Sequence, residues 1–180
     1  MKSSITAFFV LTMSALMIQA QTSKKLTDKE CWEIFPRANI YQAQQAGDGS
    51  LYREAWHGGH EDETDELLGY VFLKALKNQE NEIELLVGVD ADGKISKVKA
   101  RRKETIDEQF LSQFKGRSLN SNFEIARTPD EFLHVPAKLK AINGDFQLSE
   151  NIARTVHGTL QSAARLLKLG NEDGALQAQL

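Results

Sequence analysis

Apolar and polar residues alternate in the middle of the chain, between about residues 40 and 102. The apolar side chains of Ile83, Leu85, Val87 and Val89 alternate with Glu82, Glu84 and Gly88, and this period of two is typical of a strand with one buried face. Residues 69–73 are apolar on both faces, which favours a central strand. Turn-forming residues at 47–49 and 90–94 predict hairpins. The pattern therefore predicts a meander of about five antiparallel strands, at 41–45, 50–57, 69–73, 83–89 and 95–102.

Three helices are predicted from a shared signal at their first residues. In each case a threonine is followed three residues later by a glutamate, and the two side chains can cap each other's backbone N–H groups. The pairs are Thr27 with Glu30, Thr105 with Glu108, and Thr128 with Glu131. They predict helices over 27–35, 105–115 and 128–141, and we expect Pro136 to kink the third. The second helix carries an apolar stripe of Ile106, Phe110 and Phe114, so Phe114 should be buried against the sheet.

A fourth helix is predicted to begin near Ser149 and to end at Gly170. Its apolar residues recur at three- and four-residue spacing and form one stripe. They are Ile152, Val156, Leu160, Ala163 and Leu167. Helices before and after a run of strands indicate an α+β fold, with an antiparallel meander sheet and helices packed against it in a single domain.

The N-terminal residues have the order of a secretory signal. Lys2 precedes an uncharged, mostly apolar run over residues 5–18, which ends at Ala20 before an abruptly polar stretch. Because a spanning helix needs about 20 apolar residues, the run favours a cleaved signal over a membrane anchor. The predicted organisation is a signal peptide at 1–20, a folded domain at 21–170 and a flexible tail at 171–180. We therefore expect a periplasmic or otherwise exported protein with no transmembrane span after cleavage.

Charge and cysteine content narrow the possible functions. The chain has 22 basic and 25 acidic residues, and removal of Lys2 with the leader makes the balance more acidic. That balance argues against nucleic acid as a partner, because phosphate contacts need a basic surface. Cys31 is the single cysteine, so the chain forms no internal disulfide. We expect Cys31 to face the core from the first helix rather than to act as a reactive thiol.

Other side chains with chemical potential are few. His57 and His60 flank two glycines beside the acidic residues 61–63, and such a loop can chelate a transition metal or simply lie in solvent. The mutual repulsion of its acids favours the solvated loop, so no metal site is predicted. Trp32 and Trp56 are expected to be core or rim aromatics. His157 is expected to be a partly buried helix residue.

Several segments of the chain, taken in order, resemble the flavin mononucleotide (FMN)-binding domain family. The resemblance rests on residues 69–72, 82–90, 92–95, Val98, 104–105 and 110–119. The family includes the periplasmic flavoprotein subunits of the Rnf electron-transport complex and of the sodium-pumping quinone reductase. The last helix stands where the family has its flavin-bearing helix. The resemblance thus covers most of the chain after residue 20 and implies an exported bacterial flavoprotein.

In that family two motifs hold FMN, and both are altered here. A Glu-Thr-Pro-Gly-Leu-Gly loop follows the meander, of which this chain keeps Glu104-Thr105. A Ser-Gly-Ala-Thr motif begins the last helix, and its threonine can carry FMN through a phosphoester. The corresponding residues here are 152–155, so the resemblance implies that Glu104, Thr105, Arg154 and Thr155 bind the cofactor. It implies no catalytic residue.

The resemblance leaves two functions open. The first is electron transfer by bound FMN, with a membrane or periplasmic redox protein as partner and no substrate chemistry of the protein's own. The second is a flavin-free binding or assembly module of the same fold. Because the serine and glycine before Thr155 are replaced, reversible FMN binding is favoured over a covalent link to Thr155.

Overall fold

A computed structural model describes residues 25–177 except 48, 60–63, 79–80, 103–105, 135–137 and 143–144. The predicted signal peptide lies outside the described residues, and export stays a prediction. The helices are α1 (Asp28–Ile34), α2 (Glu108–Ser112), α3 (Pro129–His134) and α4 (Phe146–Gln177). The strands are β1 (Ile40–Gln45), β2 (Leu51–His57), β3 (Glu66–Asn78), β4 (Asn81–Asp90), β5 (Ile95–Ala100), β6 (Ile125–Ala126) and β7 (Leu139–Lys140).

The first five strands form one antiparallel sheet in the order β1-β2-β3-β4-β5. The predicted meander is therefore confirmed, and the strand that contains residues 69–73 lies at its centre. Sequential neighbours pair because each connection is a tight turn. Between β1 and β2 the Ala46 N–H donates to the Ser50 carbonyl at 2.9 Å, and Gly49 adopts the left-handed φ of 78° that this turn requires.

One face of the sheet is covered by α4 and by the segment around α2. The predicted apolar stripe of α4 is confirmed, since Ile152, Val156 and Ala163 are fully buried and Leu160 nearly so. Phe114 is also fully buried, as predicted. This face carries most of the apolar burial of the domain, which is the main source of its stability.

The opposite face is covered by α1, which the predicted capping box begins. The Thr27 hydroxyl accepts from the Glu30 N–H, and the Glu30 carboxylate accepts from the Thr27 N–H at 2.9 Å. Cys31 packs in this layer with no exposed surface, as predicted. Burial raises the pKa of its thiol to about 11, so the group is protonated and inert at neutral pH.

Ion pairs hold α1 to the sheet around this small apolar layer. Arg101 Nε lies 2.6 Å from Glu30 Oε1, and its Nη1 lies 3.2 Å from Glu84 on β4. Lys99 on β5 pairs with Glu33. Arg53 on β2 pairs with Asp28. The α1 face thus depends on charge as well as on burial.

The predictions for the second and third helices need correction. The N-cap of α2 is Asp107, whose carboxylate accepts from the Gln109 N–H; Thr105, predicted as the cap, lies outside the described residues. The third helix ends at His134 rather than at 141, and residues 139–140 instead form β7, which pairs in parallel with β6. Pro136, where a kink was predicted, also lies outside the described residues.

The limits predicted for the last helix are also wrong. It begins at Phe146 rather than near Ser149, because the Asp145 carboxylate caps the Leu148 N–H at 2.9 Å. At its other end the helix continues through Gly170 to Gln177.

Trp32 is 55 % exposed and is not a core residue. None of the described helices combines the length and apolar character that crossing a bilayer requires.

Candidate functional site

A cleft lies between the first half of α4 and the segment of residues 119–138. Its volume is about 750 Å³, within the range of small-molecule sites. Ala153, Arg154 and His157 line it from α4, and Phe123 lines it from the facing segment. Two elements that are far apart in sequence therefore build one concave surface.

Aromatic rings form a column that ends in this cleft. The rings of Phe114 and Phe123 lie 6.1 Å apart at 22°, and those of Phe123 and His157 lie 4.9 Å apart at 22°. Phe114 anchors the column in the core, while Phe123 and His157 are half-buried. Phe123 and His157 both line the cleft, so a planar group bound there could contact this end of the column.

Paired charges line the rim of the cleft. Lys138 Nζ lies 3.4 Å from Glu124 and 3.3 Å from Glu131. Hydrogen bonds from the Arg127 N–H and from Lys138 lower the pKa of Glu131, and the bond to Glu131 raises the pKa of Lys138. Arg127 Nη2 lies 3.8 Å from Glu150. Both pKa shifts favour the charged forms of Glu131 and Lys138.

Arg154 differs from the other cations of the cleft. It is exposed on α4, and within the described part of the chain its guanidinium has no hydrogen bond or ion pair. A guanidinium presents several N–H donors in a planar fork that matches a phosphate or a carboxylate. The Arg154 guanidinium is thus available to bind an anion beside the aromatic column.

Thr155, predicted as a second cofactor residue, has a different setting. Its hydroxyl donates to the Asn151 carbonyl at 2.8 Å, and the side chain is half-buried. Because α4 begins at Phe146, Thr155 lies well inside the helix rather than at its N-terminal turn. Residues 152–155, which the resemblance aligns with a motif at the start of the last helix, therefore offer no free N–H groups of a helix N-terminus to a phosphate. The true N-terminus is capped by Asp145.

The other two predicted cofactor residues, Glu104 and Thr105, lie outside the described residues. Their neighbour Ile106 lines a separate pocket of about 460 Å³ between β5 and α2. That pocket has an apolar floor that includes Val98 and Leu111, and it shares no lining residue with the α4 cleft. The pocket beside Ile106 and the cleft beside Arg154 are therefore separate.

The loop of His57 and His60, a possible metal chelator by its sequence, lies only partly within the described residues. His57 is exposed, and its Nδ1 lies 3.0 Å from the Arg37 carbonyl oxygen. His60 and residues 61–63 lie outside the described residues. Among the residues that are described, no group of three metal-ligand side chains converges.

Phe123 and the charged rim were not predicted from the sequence. Phe123 lies in a polar stretch with no apolar period, and it meets His157 only through tertiary packing. His157, in contrast, is half-buried on α4 as expected.

Comparison with protein-family models gives no match for the chain. Comparison with curated proteins gives none either.

Proposed function

We propose that the protein binds FMN reversibly in the α4 cleft and acts as an exported electron-transfer carrier. The observation that carries the proposal is the position of Arg154, a guanidinium with no partner among the described residues, beside an aromatic column that ends at His157. FMN combines a planar aromatic ring with a phosphate. The cleft offers one group suited to each.

The charges of the cleft support one orientation of the ligand. Glu124, Glu131 and Glu150 stand on the rim, and each would repel a phosphate. Lys138 and Arg127 are already engaged by these acids. The phosphate is therefore directed to Arg154, where charge-assisted hydrogen bonds can form. His157 lies one helical turn further along α4 and offers its ring face to the isoalloxazine.

In this proposal FMN supplies the electron-transfer chemistry when it is bound. The protein supplies a binding surface, an anion partner and a rim of fixed charge. Electron transfer by FMN requires no nucleophile or general base from the protein. The proposed function is therefore that of a carrier rather than of a catalyst with its own substrate. The redox partner is then a membrane or periplasmic protein.

Reversible binding is favoured over a covalent link. The Thr155 hydroxyl is engaged with the Asn151 carbonyl inside a continuous helix. A transferase would need access to this oxygen, and the side chain is half-buried. The expected complex therefore dissociates on dialysis and leaves the mass of the protein unchanged.

A flavin-free binding or assembly module is the second candidate. It is favoured by the closed N-terminus of α4 and by the separation of the α4 cleft from the pocket beside Ile106. In that case the cleft serves a different anionic ligand or a partner protein. The fold would be the same and FMN would not bind.

A fluorescence titration of FMN with four proteins distinguishes these functions. We expect wild type to quench FMN fluorescence with saturation. Arg154→Ala should weaken binding by about 1.5–3 kcal/mol, because it removes a charge-assisted contact. Thr155→Ala should change affinity little. Arg165→Ala, which removes an exposed arginine from the same helix outside the cleft, is the matched control and should bind as wild type does.

The possible results of the titration distinguish the carrier from the flavin-free module. Absence of saturable quenching by wild type with excess FMN would overturn the carrier proposal and favour the flavin-free module. Equal losses in the Arg154 and Arg165 variants would show that binding depends on the net charge of α4 and not on the cleft. A permanent mass increase that is lost in Thr155→Ala would establish covalent attachment and contradict the reversible complex.

A further inference from the structure

The two edges of the main sheet differ in how they are protected. At the β5 edge, Ile95 exchanges backbone hydrogen bonds with Gly116 and Arg117, and β5 carries Lys97 and Lys99. Lysines and covering segments are common ways to prevent an edge strand from pairing with another chain. The β1 strand itself carries no lysine or other charged residue, and residues 38–47 contain no proline.

Backbone groups of β1 alternate between the two sides of the strand. The bond from the Ala46 N–H to the Ser50 carbonyl sets the register, so the even-numbered residues of β1 bond to β2. The N–H and carbonyl groups of Tyr41, Ala43 and Gln45 consequently point away from the sheet. Among the described residues, the Tyr41 carbonyl accepts a bond from Arg53 Nη2 at 2.8 Å. No hydrogen bond from another described residue occupies the outward backbone groups of Ala43 and Gln45, so these groups can pair with a further strand.

We propose that β1 is a self-association edge, which pairs antiparallel with β1 of a second copy of this chain. The two-fold axis passes beside Ala43. Each Ala43 then donates to and accepts from Ala43 of the second copy, and the Tyr41 N–H donates to the Gln45 carbonyl of the second copy. The two five-stranded sheets become one continuous sheet.

Charge identifies a second copy as the occupant. A strand that pairs beside β1 meets the exposed side chains of Gln42 and Gln44 and no charge on β1 itself. A charged peptide would gain no ion pair there, and its charges would be partly desolvated without a partner. The β1 strand of a second copy is uncharged and places Gln42 opposite Gln44, where the two amides can donate to and accept from each other.

The pairing is independent of the proposed cleft, because β1 contributes no residue to it. Sedimentation velocity of the full chain over a range of concentrations tests it. We expect wild type to be a dimer. Ala43→Pro removes only an outward N–H and therefore leaves the β1–β2 hydrogen bonds intact, yet it should make the protein monomeric with an unchanged circular dichroism spectrum.

Two double variants test the register even if Ala43→Pro does not fold. In Gln42→Lys with Gln44→Lys, like charges face each other across the proposed pairing, and the dimer dissociation constant should rise by about tenfold or more. In Gln42→Lys with Gln44→Glu, opposite charges face each other at the same positions and the dimer should persist. A monomeric wild type, a folded dimeric Ala43→Pro, or equal behaviour of the two double variants would overturn the proposal.

Discussion

The main sheet and the segment of residues 117–142 are stabilised in different ways. In the sheet and its helices, apolar side chains from β2–β5, α2 and α4 form one large buried cluster. In residues 117–142, the buried side chains among those described are Ile125, Ala126 and Leu139, and α3 buries none. Ile125 and Leu139 join the main cluster, and hydrogen bonds between side chains and backbone, such as those of Gln113 with Lys140, hold the more exposed parts of the segment.

The contrast separates stability from binding. The cleft lies between the second region and α4, which contributes Ala153, Arg154 and His157 from the first region. Changes on the cleft rim should therefore alter binding with little effect on global stability. Changes in the sheet should unfold the domain as a whole.

Phe114→Ala should produce the largest loss of stability. Phe114 is fully buried between the sheet and Phe123, so its removal leaves a cavity and should lower the free energy of unfolding by roughly 3–5 kcal/mol. Urea denaturation measures this. Phe132→Ala on α3, the same substitution at a partly exposed site of the second region, is the control and should cost less than about 1 kcal/mol. Similar losses in both variants would remove the distinction between the regions.

Arg101→Met should produce the next largest loss. It breaks the bonds to Glu30 and Glu84 on the α1 face, and hydrogen bonds to charged groups are worth roughly 1.5–3 kcal/mol. Arg165→Met on the exposed side of α4 should be nearly neutral. If Arg101→Met were also neutral in urea denaturation, α1 would be held by its apolar layer alone.

Gln113→Ala should produce a smaller and local effect. The Gln113 side chain donates to the Lys140 carbonyl at 3.0 Å and accepts from the Lys140 N–H at 2.7 Å. Loss of the two bonds should cost roughly 1–2 kcal/mol and should speed hydrogen exchange of the Lys140 amide. Hydrogen exchange in β4 should not change. The control Gln109→Ala, which alters an exposed glutamine of α2, should leave exchange of the Lys140 amide as in wild type. Equal acceleration in β4 would show that β7 is coupled to the whole sheet.

The pH dependence should be the mildest effect and should arise on the α1 face. Burial opposes ionisation of Glu30, but hydrogen bonds from the Thr27 N–H and from Arg101 outweigh it and lower the pKa; a hydrogen bond from Lys99 lowers the pKa of Glu33. Because these folded-state pKa values lie below the ordinary value of 4.5, the stabilisation is present above pH 4.5. It is lost as the pH falls through the lower values. Urea denaturation from neutral to acid pH should show this decline, and Arg101→Met should reduce it.

The contrast between the main sheet and residues 117–142 also explains which features could be predicted from the sequence. The meander, the α4 stripe and buried Phe114 follow from periods sustained over many residues, which only one kind of packing satisfies. The Thr128–Glu131 signal did start a helix, since the Thr128 hydroxyl accepts from the Glu131 N–H. The helix stops early because Leu139 instead inserts into the core beside Ile125. That parallel pairing, like the contact of Phe123 with His157, joins distant residues and leaves no local pattern.

The most direct test of the account is to map FMN binding by amide chemical shifts. As FMN is added to the labelled protein, we predict shifts that saturate and cluster at Phe123, Arg154 and His157, with the amides of β2–β4 unchanged. The Arg154→Ala variant should need a higher FMN concentration for the same shifts. Saturation with no shift in these residues, or with shifts confined to the pocket between β5 and α2, would contradict the placement of the site. No shift at any FMN concentration would contradict the proposed function itself.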